Sequence, residues 1–316
     1  MRALWASLRR MRINHSYTVV IILILLLLVA GSQISDRFLT WRNFSTLFQQ
    51  MVVLSIASLG QTVVILTGGI DLAIGQLVGS CTVLLANMLD WRPDLLVPAI
   101  LLLLVFGAGV GLLNGALIVG LRHNPLIVTL GTASALLGAT LLYSKVPSGS
   151  VPDEMQDMAY GDIFGLPIPA VATLVVFLLC GIWLRYTRSG RAIYFVGGSA
   201  ESARLNGISV GRVLLYAYAF SGLCSAIAAF FLTARTGIGD PRIGAALTLS
   251  SITPVVVGGT TLAGGRGGVI GTLLGAFLVS LLNNLLNYMN VSSFYQWVVQ
   301  GLIIIAAVGL LGRRNR

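Results

Sequence analysis

Again and again the chain runs through about 20 apolar residues with hardly a charge among them, the length an α-helix needs to cross the hydrocarbon core of a bilayer. From Ile21 to Ala30 the apolar run is unbroken. Ten such runs are legible, over 14–34, 47–67, 72–89, 95–120, 125–144, 166–185, 213–234, 247–263, 268–288 and 294–312. Charged residues make up only 9% of the chain, against about 25% in a soluble domain. A chain with so few charges cannot cover its own surface in water, and its mean hydropathy of +0.92 agrees. A cytosolic enzyme, a secreted disulfide scaffold and a disordered tail are excluded. The expectation is an all-α polytopic membrane protein of about ten transmembrane helices.

The net charge of +10 does not point to nucleic acid, because the twenty basic residues lie at the chain ends and between the runs, not along one amphipathic face. With the N-terminus in the cytoplasm, fourteen basic residues fall inside and six outside, while eight of the ten acids fall outside. That is the positive-inside pattern. It predicts a basic cytoplasmic tail over 1–13, a transmembrane domain over 14–312 with its longest cytoplasmic loop at 186–212, and a second basic tail over 313–316. Arg9, Arg10 and Arg12 followed by an apolar core could pass for a secretory leader; a retained first helix is expected instead. Trp41, Trp91, Trp183 and Trp297 all fall near expected interfaces. Cys81, Cys180 and Cys224 each stand alone in an apolar run, so neither a disulfide nor a metal site is expected.

Gly68-Gly69-Ile70-Asp71-Leu72-Ala73-Ile74-Gly75 is echoed by Gly258-Gly259-Thr260-Thr261-Leu262-Ala263-Gly264-Gly265, each at the end of one run and the start of the next. Such glycine-rich junctions fit discontinuous helices of the kind found in transporters, or two plain turns. The span count puts both copies on the cytoplasmic side, which leaves a parallel repeat or a re-entrant segment open. Gly107, Gly111 and Gly115, and Gly267, Gly271 and Gly275, stand four apart, the spacing that lets helix backbones meet closely in lipid.

Asp71 is the one acid inside an apolar region. At the start of a helix its carboxylate could accept first-turn N–H groups, a structural cap preferred here over direct solute contact. Gln61, Thr62, Gln76, Asn87, Asn114 and Thr129 are polar side chains within spans. Each could bond between helices; as a set they suit a path for a neutral, hydroxyl-rich solute better than one for an ion. No second membrane acid or histidine exists for a proton relay, and nothing forms a nucleophile–base pair. In the 186–212 loop, Ser199 reads as an N-cap, Glu201 as a first-turn acid and Gly207 as the stop of a short helix that carries Ala200, Ala203, Arg204 and Leu205. A short helix with apolar Ala203, Leu205 and Ile208 is suited to a partner's groove. No phosphate-binding GxxxxGK[ST] loop occurs, so any ATP is expected to be hydrolysed by another subunit.

Together, Gly68-Gly69-Ile70-Asp71-Leu72, Asn114-Gly115, Thr129-Leu130-Gly131-Thr132, the Gly197–Ile208 loop and Gly258-Gly259-Thr260-Thr261-Leu262 with Gly264-Gly265-Arg266-Gly267 resemble, in order over about residues 40–312, the ribose-type permeases of bacterial ABC sugar importers. The resemblance implies a ten-span inner-membrane permease that needs no cofactor of its own. It implies a second permease copy or close homologue, cytoplasmic ATPase subunits, a periplasmic solute-binding protein, and a coupling helix at 199–207. The sequence departs from the family in lacking an acid in Ala246–Leu249 and in carrying Pro254 where a small residue is usual. Permeases for nucleosides, branched-chain amino acids or a furanose-like signal molecule are the alternatives, with an ion-coupled transporter further off.

Overall fold

A computed structural model describes residues 15–292, 294–298 and 301–302. The two basic tails and most of the expected tenth span lie outside these residues. In chain order the helices are α1 (His15–Ile34), α2 (Trp41–Leu66), α3 (Ile74–Leu89), α4 (Leu96–Leu121), α5 (Pro125–Tyr143), α6 (Asp153–Tyr160), α7 (Ile168–Tyr186), α8 (Arg188–Gly198), α9 (Ala200–Leu205), α10 (Val210–Thr236), α11 (Leu247–Ser250), α12 (Ile252–Val257) and α13 (Val269–Tyr288). A two-residue antiparallel ladder, Asp162–Ile163 with Leu166–Pro167, is the one sheet among the described residues.

Among the described residues, seven helices are long and apolar enough to cross a membrane: α1, α2, α4 with the turn before it, α5, α7, α10 and α13. Two other expected spans differ. At 16 residues, α3 is only about 24 Å long, short of a bilayer's roughly 30 Å core. The run at 247–263 is broken into α11 and α12 at Ser251. Pro254 explains the break, because it has no N–H to donate one turn back and its ring crowds the carbonyl there.

The centre of the molecule is α2, in which every residue from Met51 to Leu66 is buried. It packs on α10, α13, α7 and α12, through clusters such as Val52, Val53, Ile56 and Cys224, and Ile65, Val255 and Val256. The outer helices α1, α4, α5 and α7 instead expose aliphatic side chains such as Leu26, Val105, Ile127 and Leu178, as a lipid-facing surface requires. Glycines set the closest crossings. A side chain at Gly107, Gly111 or Gly222 would run into the facing backbone where α4 crosses α10, and one at Gly275 would strike the carbonyl of Pro254. The expected small-residue stripes are thus helix contacts, except that Gly267 lies before α13 with φ +137°.

The connections gather at two ends. At one end Gly265 donates its N–H to the carbonyl of Leu66 at 3.0 Å, while Gly197 of α8 sits against both groups. The Gly68–Gly75 and Gly258–Gly265 segments therefore touch each other, on the same side. The residues 68–73 and 258–265 are irregular chain between helices, with Gly68 and Gly259 at φ +86° and +88°. At the other end Ser148 bridges Gly239, Tyr160 Oη donates to the carbonyl of Arg235 at 2.7 Å, and Ser150 bonds Asp90.

Candidate functional site

Ser55, Ser58, Gln61 and Thr62 fall within about 120° of arc on α2, at 100° per residue, and all four are fully buried. A buried polar group normally has a partner, since leaving it bare costs about 1–3 kcal/mol. Here the hydroxyls of Ser55 and Ser58 and both amide atoms of Gln61 have none. The same holds for Gln76 Oε1 on α3, Asn114 Oδ1 on α4, Tyr218 Oη on α10 and Thr253 Oγ1 on α12. Among the described residues these eight atoms come from five helices, and every group is electrically neutral. Asn114 stands between Gly111, which abuts the backbone of Tyr218, and Ile118, which packs with Tyr218 and Val64. Gly69 leaves room for the Tyr218 hydroxyl, which would lie 2.5 Å from any Cβ there.

The rest of the expected polar set is used in structure. Thr62 donates to the carbonyl of Ser58, and its hydroxyl lies 2.7 Å from that of Thr272, which ties α2 to α13. Thr129 accepts the N–H of Leu72 at 3.0 Å and donates to the carbonyl of Pro125, pinning the chain before α3 to α5. Asn87 donates to Val83 and Ser148. Asp71 is 2% exposed and uses both oxygens. Oδ1 accepts the N–H of Ala73 at 3.0 Å, and Oδ2 accepts the hydroxyl of Ser221 on α10 at 2.8 Å. The N-cap position of α3 is Ala73, so the carboxylate braces the approach to the helix and not its first turn.

The short helix α9 begins as the capping signal predicts: Ser199 Oγ accepts the N–H of Ser202 at 3.1 Å, and Gly207 follows the helix with φ +76°. Its facing differs from expectation. Ala203 is fully buried in the chain's own core beside Ile193, Val196 and Val213, so it cannot enter a partner's groove. Leu205 is 82% exposed, and Ala200, Glu201 and Arg204 are exposed with it. A cleft of about 710 Å³ joins this helix to the glycine junction, lined by Gly68, Gly69, Arg122, His123, Ala200 and Arg204 among others.

Among the described residues, seven helices of bilayer length and a set of buried, neutral polar atoms without partners mark a multi-pass membrane protein. Over residues 43–308 the sequence matches the family described as the branched-chain amino acid transport system / permease component, and the chain belongs to that family. It is 37% identical to the ribose import permease protein RbsC of Bacillus subtilis (strain 168), over 90% of this chain and 88% of that protein. Against the RbsC of Escherichia coli (strain K12) it is 36% identical over 88% of each. It is also 33% identical to the autoinducer 2 import system permease protein LsrD of Escherichia coli O9:H4 (strain HS), over 94% of this chain and 92% of that one. No solved structure matches the chain.

Proposed function

We propose that this chain is a membrane subunit of a bacterial ABC importer and carries a neutral, hydroxyl-rich solute, most simply a monosaccharide. The carrying observation is the set of buried neutral polar atoms without partners on α2, α3, α4, α10 and α12. A sugar's hydroxyls both donate and accept, and can satisfy Ser, Gln, Asn, Tyr and Thr side chains as they pass. A branched-chain amino acid would bring a carboxylate and an ammonium. Among the described residues no Arg or Lys is buried, and the buried acid, Asp71, is already engaged by Ser221 and Ala73. The relatives named for ribose import favour the same reading.

Under this reading the protein has ten spans with both termini in the cytoplasm, and the Arg-rich end with α8 and α9 faces the cytoplasm. A partner ATPase seats α9 through Leu205, Glu201 and Arg204, and hydrolyses the ATP. A binding protein delivers solute at the opposite end, and a second permease copy or homologue completes the path. The 710 Å³ cleft then lies between the ATPase-facing helix and the Gly68-Gly69 turn beneath Tyr218, so movement of α9 would bear on the inner end of the path.

Uptake of radiolabelled ribose and leucine, in a strain lacking this gene and in the same strain complemented with it, tests the choice. Sugar uptake restored by the wild type and lost in Gln61→Leu, at equal membrane abundance, is expected. Leucine uptake without sugar uptake would overturn it.

A further inference from the structure

Away from the polar interior, a groove of about 880 Å³ opens on the lipid-facing side between α1, α7, α8 and α13. Its wall is aliphatic and aromatic, with Leu174, Phe177 and Leu178 of α7 facing Ile270 and Leu273 of α13. At its α8 end this surface changes character: Arg185, Arg191 and Tyr186 line it there, and among the described residues that line it there is no Asp or Glu. Arg191 is held by a hydrogen bond of 3.2 Å to the carbonyl of Tyr186, and the Arg185 guanidinium stands 5.6 Å from the Tyr186 ring centre. From Leu174 to Arg185 the groove follows α7 for about 16 Å at 1.5 Å per residue. One leaflet of hydrocarbon is about 15 Å deep. Leu174 and Leu273 also line a second, wholly uncharged hollow of about 380 Å³, so the apolar surface continues past the end of an acyl chain.

We propose that this groove is a binding site for one anionic diacyl phospholipid from the leaflet at the α8 end. The acyl chains lie along α7 and α13, and the phosphodiester meets Arg185 and Arg191. The length matches one leaflet, and the uncompensated pair of guanidiniums selects a headgroup with net negative charge over a zwitterionic one. The site is separate from the solute path, and its test does not depend on which solute is carried.

Native mass spectrometry of the purified protein, titrated with dioleoyl phosphatidylglycerol or dioleoyl phosphatidylcholine, reads it directly. Phosphatidylglycerol is expected to bind the more tightly. Arg185→Gln and Arg191→Gln should each weaken it by about fivefold, and the double variant by about thirtyfold, from about 1 kcal/mol for each cation near a lipid headgroup. Phosphatidylcholine binding should change little. Leu178→Trp, which fills the groove without touching either cation, should weaken both lipids, and Arg92→Gln at the opposite end should weaken neither. Equal binding of the two lipids by the wild type would overturn the proposal. So would a double variant that melts normally and binds phosphatidylglycerol like the wild type. Should the double variant not fold, unchanged phosphatidylglycerol binding by Leu178→Trp overturns it instead.

Discussion

Replacing Asp71 separates a structural carboxylate from one that handles solute. It joins two elements, with Oδ1 on the N–H of Ala73 and Oδ2 on the hydroxyl of Ser221. Asp71→Leu leaves both donors buried without an acceptor, at about 1–3 kcal/mol each, so a loss of about 2–6 kcal/mol is expected. Asp71→Asn keeps the carbonyl oxygen for Ala73 and turns its amide toward Ser221, whose hydroxyl can accept instead. Its loss should be about 1 kcal/mol. Ser221→Ala removes one partner and should fall between the two. Because Ser221→Ala and Asp71→Leu break the same bond, their combined effect should fall short of the sum of the two by about 1–2 kcal/mol. Thermal unfolding in detergent reads these losses at about 2–4 °C per kcal/mol, with uptake measured on the same variants. Stable Asp71→Asn with near-normal uptake is the expected result. An Asp71→Asn protein as unstable as Asp71→Leu, or one that is stable but does not transport, would refute the bracing role.

The remaining expectations concern the ends of the molecule. Leu205→Asp should leave membrane abundance and melting unchanged while abolishing co-purification of the ATPase, because Leu205 is 82% exposed. Ala203→Trp should instead lower the melting temperature, since Ala203 is buried in the chain's own core and overpacking costs about 1–3 kcal/mol. Activity reporters fused after Gly161 and inserted after Gly207 should report opposite sides of the membrane; agreement between them would break the topology.

The sequence announces most of the helices because a bilayer demands long apolar runs, and α4, α5, α7 and α10 lie close to where those runs fall. It is less informative where packing or a cap decides. The helix α2 starts at Trp41, six residues before its apolar run, because Thr40 Oγ1 caps the N–H of Asn43 and the polar first turn is helical too. The stretch 188–198 read as loop but is helical, capped by Thr187 on Gly190. Nothing in six residues of α9 has enough periodicity to say that Ala203 turns inward. Of the expected polar set, Gln61, Gln76 and Asn114 keep free atoms, whereas Thr62, Asp71 and Thr129 are spent on joints between helices. Ser55 and Ser58 are missing from that expected set but were legible in principle, since they share a face with Gln61 and Thr62 at helical spacing. Tyr218 was not, because an aromatic ring in an apolar run reads as core until its hydroxyl is found without a partner.

The reading stands on the partnerless face of α2 being the wall of the solute path. Ser58→Cys places a thiol on that face, and a small, charged, water-soluble thiol reagent can reach it only through an aqueous route. In membranes holding the assembled importer, reaction at this position during ATP turnover, slowed by transported solute, is the predicted result. A thiol that stays unreactive in every state, or reacts at a rate no solute alters, would contradict the account.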